Sequence, residues 1–174
     1  NDAYGLAFTH DQGVGDCFTP QGISSYELPR LSGCFSQMTY EETLNWILTA
    51  CLYAHNADNG SWLARNRDVL TQSVESILAR DGNGDGLMDL DSDRCQGGSE
   101  ITTYDSLDAS LGQTRNNLYI AIKAWGTLVS FAAVFDRHLS NATAAETALV
   151  KKARESATAI MNTIISRVKE PDGY

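Results

Sequence analysis

Residues 39–80 read TYEETLNWILTACLYAHNADNGSWLARNRDVLTQSVESILAR, and their spacing decides the fold. Leu44, Ile47, Leu48, Cys51 and Leu52 recur at the helical period, which puts them on one face of a helix. Thr39 followed by Glu42 has the pattern of a capping box, in which hydroxyl and carboxylate satisfy two amides at a helix start. The run NADNG at 56–60 stops that helix. A second is expected from Ser61 to Arg80, with Leu63, Val69, Leu70, Val74, Ile77 and Leu78 on one face. A link of about five residues between two helices makes an antiparallel αα-hairpin.

The arrangement occurs twice. A third helix is expected from Gly112 to His138, and Leu118, Tyr119, Ile122, Trp125, Leu128, Val129, Phe131 and Phe135 make it apolar nearly all round. A helix without a wet face belongs in the middle of a fold. SNAT at 140–143 breaks the chain, and Thr143 with Glu146 offers a second capping box. The fourth helix, 143–169, sets Leu149, Ala153, Ala157, Ile160, Ile164 and Val168 against a face of Lys151, Lys152, Arg154 and Glu155. Segments of over 30 residues precede helices one and three, and loops of that length are commonly functional. The expected class is all-α: two αα-hairpins, each entered through a long functional loop, forming part of an α/α toroid. A short hairpin in 86–104 is the only β structure expected.

A net charge of −9, with 13 scattered lysines and arginines, argues against nucleic acid and anionic membrane as partners. No apolar run is read as approaching the roughly 20 residues of a membrane span. Cys17, Cys34, Cys51 and Cys95 lack CxxC spacing, which disfavours zinc and leaves disulfides open, with Cys51 read as a buried thiol. The sequons NGS at Asn59 and NAT at Asn141 are glycosylation candidates and point to secretion. The start, NDAYGLAFTH, has neither an initiator Met nor a signal segment and reads as internal.

Between the hairpins, residues 81–108 carry eight of the 22 acids and one base, Arg94. In DGNGDGLMDLDS, Asp81, Asn83 and Asp85 alternate and Gly86 follows, a spacing that surrounds a hard cation with oxygens. The Leu87 carbonyl and Asp89 complete the candidate calcium ligands. The twelfth position is Ser92 rather than a bidentate acid, with Asp91 or Asp93 as substitutes, and no helix follows directly. The pattern fits either a structural calcium loop or a tight polar turn after a helix. Further on, Glu100, Asp105, Asp108, Gln113, Arg115, Asn116 and Asn117 crowd one end of the apolar helix. Such groups must meet a ligand or one another. Arg115 is a substrate-binding candidate, and Asp108 is read as a helix cap.

THDQGV at 9–14, SSYELPRLSGCFSQMTYEETLNWIL at 24–48 and EITTYDSLDASLGQTRNNLYIAIKAW at 100–125 resemble the catalytic domain of glycoside hydrolase family 52, the retaining β-xylosidases. The resemblance covers nearly the whole chain. HD, NGDGL and TYD are more distantly similar to family 116 β-glucosidases and glucosylceramidases. Both families imply an (α/α)6 domain behind a β-sandwich domain. They imply that Asp105 is the general acid/base, that His10 and Thr103 contact sugar in the minus-one subsite, and that Asp11 binds a hydroxyl or orients His10. The chemistry agrees, because a glycosidic oxygen needs a carboxylic acid kept protonated near a second carboxylate. The family's nucleophile is a Glu upstream of the HD motif, outside this chain. The chain is therefore expected to be a partial catalytic domain, inactive alone and completed by the enzyme's remaining segments. The substrate expected is a β-xyloside or xylo-oligosaccharide, with no catalytic cofactor. The alternatives are a family-116-like β-glucosidase and a non-catalytic calcium- or carbohydrate-binding helical module.

Overall fold

A computed structural model describes residues 3–8, 10, 13–14, 17–18, 38–56, 60–93, 100–103, 112–138 and 141–168. Four helices dominate: α1 (Thr39–Asn56), α2 (Ser61–Leu78), α3 (Leu118–His138) and α4 (Ala144–Val168). α1 packs on α2 and α3, and α4 packs on α3 and α2, so two antiparallel hairpins close into one four-helix layer pair. The all-α expectation holds. The β structure described is a two-residue ribbon, β1 (Gly13–Val14) with β2 (Cys17–Phe18), and a lone bridge between Ile101 and Gln113. Part of the hairpin expected within 86–104 lies outside the described residues; among those described, Ile101 bridges forward to Gln113 instead.

Apolar periodicity built the core as read. Leu44, Ile47, Leu70, Val74, Ile120, Phe131, Ala153 and Ile160 are buried where the four helices meet. Cys51 joins them as a free buried thiol, and burial pushes its pKa up to about 12, which removes it as a nucleophile. Leu87 and Met88 also enter the core, so the acidic stretch is pinned to the bundle from below.

Several expectations need correction. Thr39 and Glu42 form no capping box: the Thr39 hydroxyl donates to Glu100, whose carboxylate also accepts the Tyr40 amide at 2.5 Å. A distant acid does the capping. The second box is formed, with Thr143 N–H to Glu146 at 2.6 Å and Glu146 N–H to the Thr143 hydroxyl at 3.2 Å.

α3 begins at Leu118 rather than Gly112, because the Asn117 side chain accepts from the Tyr119 and Ile120 amides. That takes the cap position from Asp108, which itself lies outside the described residues. Nor is α3 buried all round, since Leu118, Ile122, Trp125 and Val129 form an exposed stripe. Among the described helices, α1 and α4 pack against the buried side of α3. Val69 and Leu52, both read as core, are exposed as well. At 21 residues and mean hydropathy 1.7, α3 is long and apolar enough to cross a membrane, contrary to the sequence reading. Half of its apolar window is buried within this fold, against α1 and α4.

The acidic loop meets α4 at Gly86, where φ is +87° and an added Cβ would lie 2.6 Å from the Ile160 amide nitrogen. Gly84 has a similar φ of +82° with nothing within 4 Å. Gly86→Ala should therefore cost about 2–4 kcal/mol, from the left-handed backbone plus the overlap. Gly84→Ala should cost about 1–2 kcal/mol from the backbone alone. Urea unfolding of the two variants checks the ordering, and equal losses would show that the contact with α4 is absent.

Candidate active site

α1's first turn collects the segments that bear the motif residues. On one side Glu100, fully buried, accepts from the Thr39 hydroxyl (2.8 Å), the Tyr40 amide and the Ser92 amide (3.0 Å), and pairs with Arg80. Arg80 is only 2% exposed. It donates to the Leu90 carbonyl at 2.8 Å and to the Thr39 hydroxyl at 3.0 Å, and its guanidinium lies over the Tyr40 and Tyr4 rings. The backbone follows: Thr114 N–H donates to the Glu100 carbonyl at 2.9 Å, and Thr102 N–H to the Gly112 carbonyl at 2.7 Å. These two bonds tie together the ends of the segment 103–111.

On the other side stands Glu41, 1% exposed. Its carboxylate accepts from the Thr103 amide (2.9 Å), the Thr103 hydroxyl (3.0 Å), the Tyr119 hydroxyl (2.6 Å) and the Lys123 ammonium (2.8 Å). Burial opposes its charge, but bonds from Lys123, Tyr119 and the Thr103 amide outweigh burial and hold the carboxyl below its ordinary range. Burial likewise opposes the Lys123 charge, and the Glu41 and Tyr119 contacts overcome it and raise that pKa.

The N-terminal segment docks beside this turn. Phe8 N–H donates to the Thr43 hydroxyl at 3.2 Å, and the Phe8 ring stacks on Trp46 with centroids 4.8 Å apart. His10, half-buried, lies two residues beyond that anchor. So Thr103 and the segment leading to His10 are fastened to residues 41, 43 and 46 of one helix. Asp11 and Asp105 lie outside the described residues, as does Asn59. Arg115 is paired with Asp91 at 3.1 Å and is thus attached to the Glu100 side, since Asp91 also accepts the Glu100 amide. Asn141 is exposed at the α3–α4 turn, where its carbonyl accepts from Arg67.

The acidic loop folds around its own carboxylates. Asp81 accepts the Gly84 and Gly86 amides, Asn83 the Asp85 amide, and Asp85 the Leu87 amide. Asp81, Asp85 and Asp89 each bring a carboxylate oxygen to within 4.8 Å of the others. Asp85 also pairs with Arg167 at 3.0 Å, and Asn116, at φ 53°, links Arg167 to Asp89. Asp89 Oδ2 is buried with no hydrogen-bond partner. An orphaned anionic oxygen beside two more carboxylates is the donor set a hard cation takes.

Glu41, Tyr119 and Lys123 escaped the sequence reading. Glu41 sat beside the supposed capping acid, and Tyr119 was counted as apolar surface. The usable signal was Lys123, a charge inside an otherwise apolar helix, which is costly without a partner.

The first 53 residues match the family model for Glycosyl hydrolase family 52. A protein of Geobacillus stearothermophilus named "Beta-xylosidase" is 44% identical over 174 residues, 98% of this chain and 24% of that relative. A second of the same name and organism is 34% identical over 135 residues, 75% of this chain and 22% of the relative. The chain thus spans about a quarter of the length of the curated relatives it matches.

Glu41 yields a pH prediction. Its folded pKa is lowered, so its ionised form stabilises the fold above the unfolded value of about 4.5. That contribution is lost as pH falls through the folded value. Lys123, raised, contributes below its unfolded value of about 10.5 and loses that only at higher pH. Glu41→Gln should lower the neutral plateau and flatten the acid limb of stability against pH. An unchanged acid limb in urea titrations would mean that Glu41 is not held as described.

Proposed function

From its kinship with glycosyl hydrolase family 52, we propose that this chain is the acid/base-bearing portion of a retaining exo-glycosidase that hydrolyses β-xylosides and xylo-oligosaccharides. The observation that carries this is the 44% identity, along 98% of the chain, to a protein named β-xylosidase. Asp105 is the acid. Its protonated carboxyl gives a proton to the glycosidic oxygen as the anomeric C–O bond breaks. The nucleophile, a Glu outside this chain, takes the sugar as a covalent ester. Asp105, now a carboxylate, removes a proton from the water that attacks the ester, which regenerates both groups with net retention. His10, Asp11 and Thr103 hold the sugar's hydroxyls in the minus-one subsite, and Arg115 lies on the return arm of the same loop. The exposed stripe of α3 packs on the remaining helices of an (α/α)6 toroid, and the chain alone is inactive.

The acidic loop holds a structural calcium ion in this reading. Asp81, Asn83, Asp85 and Asp89, with the Leu87 carbonyl, are the oxygens that would take it, and the orphaned Asp89 Oδ2 supports the assignment. Bound there, the ion would neutralise the carboxylates and fix the loop that leads to Ser92 and Glu100. It takes no part in the chemistry.

Two measurements test these assignments. In the full-length enzyme, Asp105→Ala should slow aryl β-xylosides with poor leaving groups by about 10²–10⁴-fold and activated ones far less. Azide should restore turnover through a β-xylosyl azide. A uniform loss across leaving groups would remove Asp105 as the acid. For the loop, equilibrium dialysis at millimolar calcium should show one ion bound, with Asp89→Ala abolishing it. No binding by the intact protein reduces the loop to a polar turn.

A further inference from the structure

We propose that Glu41 is a positioning residue for the acid/base: its buried carboxylate clasps Thr103 by both amide and hydroxyl and thereby fixes where the following segment, with Asp105, enters the site. The inference rests on the reading of Asp105 as the acid/base. It goes beyond that reading by assigning a role to a side chain that touches neither substrate nor reacting atoms.

The geometry is specific. Glu41 Oε2 accepts the Thr103 N–H at 2.9 Å and Oε1 the Thr103 hydroxyl at 3.0 Å, so one residue is held at two points. Two peptide units separate Thr103 from Asp105, a reach of at most about 7 Å, so fixing the first confines the second. The pairs Thr102–Gly112 and Thr114–Glu100 join the residues that flank 104–111. From α1, Glu41 supplies two bonds to Thr103 itself.

The clasp needs an ionised carboxylate, because a protonated one gives up acceptor capacity. Lys123 at 2.8 Å, itself steadied by Asn45 at 2.9 Å, and Tyr119 at 2.6 Å keep Glu41 charged and oriented. A carboxylate can only accept, so the Thr103 hydroxyl proton is committed to Glu41. The Thr103 oxygen therefore faces any sugar hydroxyl as an acceptor. The bland reading is that Glu41 and Lys123 merely join α1 to α3. Pairing with Lys123 alone would serve that, and it leaves the two bonds to Thr103 unexplained.

The test is a double-mutant cycle in the full-length enzyme, with aryl β-xylosides of graded leaving-group ability. Glu41→Gln should lower kcat on poor leaving groups by about 10–100-fold, the cost of a misplacement near 1 Å, and affect activated ones little. In an Asp105→Ala background the same change should have almost no further effect, because its action passes through Asp105. Tyr119→Phe removes one bond to the carboxylate and should give a smaller loss of the same leaving-group pattern. It carries the test if Glu41→Gln does not fold. A loss uniform across leaving groups, or one fully additive with Asp105→Ala, would overturn the proposal and leave Glu41 as a helix tie. If Asp105→Ala itself lacked the leaving-group pattern, the acid/base assignment would be what fails.

Discussion

A fully buried carboxylate has to be met on all sides, and Glu100 is met by four residues from three parts of the chain at once. Thr39 and Tyr40 come from the start of α1, Arg80 from just beyond α2, and Ser92 from the acidic loop. Each of those backbone segments is held in place by the desolvation it relieves. Removing one partner of such a pair leaves an uncompensated charge and costs about 3–5 kcal/mol. The same pair made from well-packed apolar groups could be equally stable, so what the ions add is geometric. Hydrophobic contact would allow the loop to slide along α1, whereas a fork of directed bonds fixes one register.

The helices were legible because periodicity is a local signal, and so were their links. NADNG and SNAT stop helices whatever surrounds them. The Thr143–Glu146 box was legible for the same reason, since both partners lie on one turn. Thr39–Glu42 has the identical pattern and a different outcome, because a carboxylate 61 positions away from Thr39 competes for its hydroxyl and wins. A capping box is worth about 1 kcal/mol. Leaving a buried carboxylate without its donors costs several times that, so tertiary demand overrides local pattern. The start of α3 was misplaced because Gln113, Arg115 and Asn116 suit a helix well enough by propensity. Asn116 instead adopts a positive φ, its amide donates to the Met88 carbonyl, and Asn117 caps the helix behind it.

Burial was harder to read than helicity. Leu118, Ile122, Trp125 and Val129 repeat at helical spacing and look like core from sequence, yet they face outwards. The sequence also hid which acids are structural. Glu100 was grouped with Asp105 and Asp108 as polar groups near a site, but its side chain has no solvent access and every bond it makes is internal. Composition cannot separate a carboxylate that supports from one that acts, since both are acids in loops. Burial and partners separate them.

The two buried carboxylates divide the support between them, and their placement explains why α1 is the helix that matters. Glu100 ties the incoming acidic stretch to residues 39 and 40, and Glu41 ties the outgoing Thr103 one residue further along the same turn. The chain between them, 100–103, is therefore held at both ends against one rigid element. Phe8, on Thr43 and Trp46, brings the N-terminal motif to the next turn of the same helix. Segments far apart in the sequence thus share one support, and their separation is set by the 1.5 Å rise of a helix rather than by loop flexibility. In the proposed reaction, acid catalysis on a glycosidic oxygen tolerates little error in that separation. A helix turn with two buried anions can hold it, and a long loop by itself cannot.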